Sequence, residues 1–312
     1  METVLKIEHL VKYMGKKKII DDVSFETYAG EVFGFLGPNG AGKTTTIKMV
    51  MGLLDIDDGV ITVSGINVVK KFEKAMDNIS GIVENPEMYP YLTARKNLEL
   101  FARMRPNVTP ERIKEVIKLV GLEQRVDDKI KKYSLGMKQR IGLAQALLSK
   151  PKLIILDEPT NGLDPAGIKE LRDILKDLAH KDNICVVVSS HLMSEMELMC
   201  DRVGIIAKGK MLDVKTIEAL TETVNANGLS SYHINVNDVK KATGILQNFE
   251  DVKIGYQGED YMEISLIKEK VPSVIKALVL ADVDIFSCAA VDTKKLEDVF
   301  IELTNSGGAQ IG

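Results

Sequence analysis

The sequence predicts an α/β fold built on a largely parallel sheet, followed by a smaller α+β domain. Three observations carry this. The apolar run Leu153-Ile154-Ile155-Leu156 is short and unbroken, as suits a strand buried on both faces of a parallel sheet. A second run, Val32-Phe33-Gly34-Phe35-Leu36, leads through a glycine-rich loop into a segment, residues 45–51, that reads as helix. Beyond residue 231 the period alternates several times between two and that of a helix, which marks a separate, compact unit.

The glycine-rich loop is Gly37-Pro38-Asn39-Gly40-Ala41-Gly42-Lys43-Thr44, followed by Thr45. Between a strand and a helix, this pattern has the setting of a phosphate-binding P-loop. Backbone N–H groups and the helix N-terminus point at the phosphates, and glycines let the main chain approach closely. Lys43 then lies between the β- and γ-phosphates of a nucleoside triphosphate, and Thr44 offers its hydroxyl to Mg²⁺. The run at 153–156 ends in Asp157-Glu158. Because ligands sit beyond the carboxyl ends of strands in such sheets, both carboxylates face the nucleotide. Asp157 is expected to hold Mg²⁺ through its water shell, and Glu158 is the candidate general base for hydrolysis.

The remaining elements follow in order. Residues 80–83 read as a strand leading into Glu84-Asn85-Pro86, and residues 94–104 and 110–120 as helices, the second closed by Gly121. Tyr133-Ser134-Leu135-Gly136-Met137-Lys138-Gln139-Arg140 starts a helix, and Asp157-Glu158 runs on into Pro159-Thr160-Asn161-Gly162-Leu163-Asp164-Pro165. A strand over residues 184–190 precedes His191, a helix follows over 192–199, and residues 203–207 with Lys208-Gly209-Lys210 read as a closing strand and hairpin.

Taken with the P-loop and Asp157-Glu158, the Ser134-Leu135-Gly136 segment resembles the signature sequence of ATP-binding cassette (ABC) transporter ATPases. The resemblance runs in order from Tyr13 to His191. It implies a P-loop NTPase cassette, a RecA-like core with a helical subdomain at about residues 85–150. It also implies that Tyr13 stacks on adenine, that Asn161 to Asp164 form the loop between two nucleotide sites, and that His191 is the switch histidine. Lys43, Glu158 and His191 are then the catalytic set. The nucleotide is held by Tyr13, Gly37 to Thr45, Asp164, and Ser134, Leu135 and Gly136 of a second subunit in a head-to-tail homodimer. Each of these residues also fits a blander role when taken alone: Tyr13 as a half-buried strand aromatic, Asp164 as a helix cap, His191 as a bonded residue at a strand end.

In the family, the γ-phosphate-sensing loop carries a glutamine; here that position is Glu84, a third expected ligand of Mg²⁺ beside Thr44 and Asp157. With the Ser-Leu-Gly-Met signature, this looks like the ABC ATPases of the bacitracin-resistance and lantibiotic-immunity group, which pair with polytopic membrane permease subunits. The alternative is an ABC-2-type exporter of another drug, ion or lipid. A DNA-repair type would need a long coiled-coil insertion, a translation type two cassettes in one chain, and a mere nucleotide-binding module no Glu158.

Composition fits this setting. The 312 residues are 45% hydrophobic and 28% charged, ordinary for two soluble domains, and the net charge of −4 argues against nucleic acid as main partner. No apolar run approaches the roughly 18–20 residues that span a bilayer, and residues 1–6 are unlike a signal peptide. The expected location is cytoplasmic, peripheral on the inner membrane face through the permease. Cys185, Cys200 and Cys288 read as reduced thiols.

The expected domains are a cassette over 1–214, a linker over 215–231 with a helical first half, an accessory domain over 232–304 and a disordered tail over 305–312. The accessory order βαββαβα, with strands at 232–236, 252–256, 261–266 and 285–291 and helices at 239–249, 271–280 and 294–303, is that of a ferredoxin-like module.

Overall fold

The computed structural model describes residues 2–105, 107–225, 230–249, 251–291, 296–297, 300 and 304. The expected tail at 305–312, most of the linker turn and most of the last helix lie outside them. The chain divides into two compact units, Met1–Ile217 and Glu218–Ile301.

In the first unit the elements run β1 (Thr3–Met14), β2 (Lys17–Tyr28), β3 (Val32–Leu36), α1 (Lys43–Val50), β4 (Asp58–Val63), β5 (Ile66–Asn67), α2 (Phe72–Met76) and β6 (Ile79–Ile82). Then come α3 (Ala94–Arg103), α4 (Pro110–Leu119), α5 (Leu135–Leu147), β7 (Leu153–Asp157), α6 (Pro165–His180), β8 (Cys185–Ser190), α7 (Met193–Met199), β9 (Arg202–Ala207) and β10 (Lys210–Thr216). One sheet, ordered β10-β9-β3-β8-β7-β6, is parallel from β9 to β6. A second, antiparallel sheet is ordered β2-β1-β4-β5.

The central strands β3, β7 and β8 are buried along their whole length, which is why they read as continuous apolar runs. Phe33 and Phe35 of β3 pack on Phe25 of β2, each at 5.3 Å between ring centroids, so the two sheets share one core. Gly34 is small for a packing reason: a Cβ there would stand 2.7 Å from Met196 Sδ of α7. The helical segment α3–α5 is built by ordinary signals. Thr93 and Thr109 cap α3 and α4 through their hydroxyls, and Gly121, at φ 63°, turns the chain out of α4. Gly142 lets α5 close on Pro86, where a Cβ would meet the proline ring at 2.5 Å.

Two residues expected in the linker belong to a strand: Lys215 and Thr216 pair with Val203 and Arg202, so β10 outlasts the expected end at 214. Helix α8 (Ile217–Asn225) follows directly. The second unit then contains β11 (Ser230–Val236), α9 (Val239–Leu246), β12 (Lys253–Gln257), β13 (Tyr261–Leu266), α10 (Val271–Leu280) and β14 (Ile285–Val291). Its antiparallel sheet has the order β12-β13-β11-β14, the ferredoxin-like arrangement anticipated from the element order. Ser230 and Ser231 extend β11 back into the expected linker by pairing with Leu266 and Ser265. Its core is formed by Ile234, Val236, Ala242, Leu246, Ile264, Leu266, Val274 and Leu278.

Because each unit closes its own core, a chain ending at Ile217 should fold and retain nucleotide binding. A thermal shift on adding Mg-ATP to that shortened protein checks it; loss of all soluble protein would mean that the first unit needs the second.

Candidate functional site

The parallel register brings three strand ends level. Leu36 of β3 lies beside Ser190 of β8, and Asp157 of β7 beside Ser189. The loops that follow therefore open on one edge of the sheet, the usual ligand edge of an α/β fold.

The loop from Gly37 to Gly42 is pinned from behind. A Cβ on Gly37 would stand 2.3 Å from the Ile206 carbonyl oxygen, and one on Gly42 would stand 2.5 Å from Ile20 Cδ1. Gly42 also has φ 112° as the N-cap of α1, and Gly40, with open space around it, has φ 78°. Glycine is thus needed at 37 for space, at 40 for conformation and at 42 for both. Pro38 accepts from the Ala41 N–H at 3.1 Å, which tightens the loop before α1 begins. Asn39 is exposed and Thr45 half-buried in the first turn of α1.

Lys43 is buried at 6% exposure, yet its ammonium is fully engaged. Nζ donates to Gly37 O at 2.7 Å and to Pro38 O at 3.5 Å, and lies 3.1 Å from Glu158 Oε1. The other Glu158 oxygen, Oε2, is 2.9 Å from His191 Nδ1. A carboxylate can only accept, so the shared proton is on Nδ1. Glu158 itself has φ 49°, a left-handed conformation held by its own N–H donating to Ser189 Oγ at 2.9 Å. Asp157 accepts from Thr44 Oγ1 at 2.8 Å on one oxygen and from Ser189 Oγ at 2.6 Å on the other. Lys43, Thr44, Asp157, Glu158 and His191 thus form one connected network.

Ser189 ties this network together and was not singled out in the sequence. Nor was Glu195, which accepts from Thr160 Oγ1 at 2.6 Å and Ser190 Oγ at 3.1 Å, locking the loop after Glu158 onto α7. Two serines at the carboxyl end of a wholly buried strand were the available signal, since a buried hydroxyl needs a partner.

Glu84 does not join the pair Thr44–Asp157. Its φ is 67°, its side chain is 69% exposed, and Oε1 lies 3.1 Å from Lys48 Nζ, one turn further along α1. Among the described residues no cluster of three or more Asp, Glu, His or Cys has the geometry of a metal centre.

Ser134, Leu135, Gly136 and Asp164 line a separate cavity of about 330 Å³. Ser134 caps α5 by accepting the Met137 N–H, and Asp164 caps α6 by accepting the Gly167 N–H at 2.9 Å. Nothing inside the chain demands glycine at 136: its φ is not positive, and the nearest atom to an added Cβ is 3.8 Å away. Tyr133, just before this helix, donates to Arg125 O at 2.7 Å, and burial pushes its hydroxyl up to about 12. Tyr13 lies on β1, 47% exposed, with Lys18 Nζ 5.9 Å from its ring.

Residues 20–161 match the family model for ABC transporters. The chain is 49% identical over 304 residues to an uncharacterised ABC transporter ATP-binding protein, YhcH, of Bacillus subtilis (strain 168), covering 97% of each. The chain is an ABC transporter ATP-binding protein. As such it binds nucleotide and hydrolyses ATP, and proteins of this kind work with membrane components. It is also 41% identical over 252 residues to the bacitracin transport ATP-binding protein BcrA of Bacillus licheniformis, covering 81% of each. A solved ATP-binding subunit of an ABC transporter superposes with a TM-score of 0.63 at 28% identity, over 70% of this chain and 92% of that one. Among the described residues of this ATP-binding protein, no helix is long and apolar enough to cross a membrane.

Ser189→Ala should cost about 1.5–3 kcal/mol of stability, since it strips a bond from a buried carboxylate and one from a strained backbone. Urea unfolding of the two proteins side by side measures this. An unchanged midpoint would mean that Asp157 finds another donor.

Proposed function

We propose that this protein powers efflux of a membrane-active peptide antibiotic, of the bacitracin or lantibiotic kind, through a separate integral membrane permease. Two copies of the chain act head to tail on the cytoplasmic face of that permease. The observation that carries the hydrolytic part is the suspension of Glu158 between Lys43 and His191.

In this reading Lys43 leaves Glu158 to meet the β- and γ-phosphates, the neighbouring anions best matched to a buried ammonium. His191 keeps Oε2, so the carboxylate stays oriented while Oε1 becomes free to take the proton of the attacking water. The glycines at 37, 40 and 42 keep the loop backbone open to the phosphates, and the N-terminus of α1 adds its dipole. The oxygens of Thr44 and Asp157, converged at 2.8 Å, fit a hard cation that takes oxygen ligands. Held by Thr44 and Asp157, Mg²⁺ would supply positive charge to offset that of the phosphates. Glu84, occupied with Lys48, acts instead as the link between the P-loop helix and the loop that leads to the helical subdomain.

Three features support the rest. Gly136 has no reason inside its own chain to be glycine, which fits a close approach by the nucleotide of a second copy. A cleft of about 560 Å³ between β6 and the helical segment, lined by Met51, Phe72, Phe101 and Met104 together with Glu87 and Arg105, offers a mixed apolar and polar seat to a permease segment. The likeness to the bacitracin transport protein supports the substrate class.

Glu158→Gln should keep ATP binding, lower kcat by about 10²–10⁴-fold and trap an ATP-bound dimer on size exclusion; unchanged turnover would remove Glu158 as the base. Gly136→Ala should leave the melting temperature unchanged or raised, because alanine favours helix, while turnover falls. Equal turnover would count against a site made in trans. For the substrate, cells carrying the protein with its permease should resist bacitracin or a lantibiotic, and Glu158→Gln should abolish the protection. Unaltered sensitivity to both classes would overturn peptide export and leave the ATPase intact.

A further inference from the structure

The sheet of the second unit has two edges, and they are built differently. The β12 edge carries Lys253 and Gly255, and its pairing with β13 is irregular between Ile254 and Gln257. Charge and irregularity are the usual devices that keep an edge from pairing with another chain. The β14 edge, Ile285-Phe286-Ser287-Cys288-Ala289-Ala290-Val291, has no charge and no proline. Its pairing with β11 is regular from Ser287 to Val291, and the register shift before Ser287 leaves Phe286 bulged and 72% exposed. Among the described residues no strand pairs with its outer side. Helix α10 packs against β14 and ends in Val279 and Leu280, 56% and 75% exposed, just before the turn that enters the strand.

We propose that this unit pairs with the same unit of a second copy through β14, antiparallel, about a two-fold axis at Ala289. Charge favours a like partner. A two-fold contact sets the strand against its own copy, and a strand without charges opposes no like pair wherever the axis falls; β14 carries none. Ala289 is the midpoint of the regular stretch, so it meets Ala289 of the partner subunit, and Ser287 meets Val291 of the partner subunit. The axis stands normal to the sheet, which keeps both pairs of helices on one face and brings the exposed ends of the two α10 helices to the same side. One strand edge and one helix flank lie at the small end of stable interfaces, so the pairing draws on a second copy held nearby. In that respect it rests on the reading that two copies share one complex.

The test is a cysteine cross-link in the full-length chain. Residues directly opposite in an antiparallel pair have Cα atoms about 4.5–5.5 Å apart, inside the disulfide range of about 4.4–6.8 Å. In a Cys288→Ser background, Ala289→Cys should give a disulfide-linked dimer under mild oxidation. The yield should be about ten times that of Ser265→Cys, a position inside the same sheet. As a check that needs no substitution, amides 287–291 should exchange with solvent more slowly at high than at low protein concentration. No cross-link, or equal yields at both positions, overturns the pairing. A mixture of Lys43→Ala and Gly136→Asp chains reports the composite ATP sites separately. Restored ATPase without the cross-link removes only the β14 pairing; the cross-link without restored ATPase keeps the pairing and removes the composite sites.

Discussion

The site depends on the parallel pairing of β3, β8 and β7. That register puts Asp157 beside Ser189 and Leu36 beside Ser190, so the glycine loop, the two carboxylates and His191 leave the sheet at one level. A slip of one residue in β7 would turn Asp157 to the other face and leave Ser189 a buried hydroxyl with no carboxylate to meet. Complete burial of all three strands makes such a slip costly. The core is therefore also the device that aligns the chemistry.

The network built on that register leaves its buried cation fully partnered. The Lys43 ammonium, buried at 6% exposure, is surrounded by two carbonyls and one carboxylate. A buried cation of this kind is tolerable only when fully partnered. Exchange of one anionic partner for another changes the solvation of the lysine little, whereas leaving it bare would be expensive. The arrangement suits a residue that alternates between a carboxylate and a phosphate.

Much of this was legible in the sequence, and the reason is locality. Gly37 to Thr44, Asp157-Glu158 and Ser134 to Gly136 each act through a few consecutive residues whose spacing fixes the turn or cap. What escaped depends on contacts between distant segments. Ser189 reaches Asp157 only through the register of two strands, and Glu195 reaches Thr160 only through the packing of α7. Glu84 was expected beside the metal because it stands where the family's sensing loop carries a glutamine; its contact with Lys48, one helical turn beyond Thr44, depends on how that loop meets α1. The ends of the expected linker moved for a similar reason: Lys215, Thr216, Ser230 and Ser231 look polar and loop-like, but backbone pairing with neighbouring strands decides their state.

The back of the glycine loop carries a consequence for how variation in this protein is interpreted. Ile20, on an antiparallel strand outside every recognised motif, touches the space that a side chain on Gly42 would need, and the carbonyl of Ile19 does the same for Gly209, where an added Cβ would stand 2.2 Å away. The antiparallel sheet is therefore the mould against which the phosphate loop is cast. A bulkier residue at position 20 would deform that loop as surely as a change within it. Surveys of inactivating changes confined to the motif residues would pass over the position.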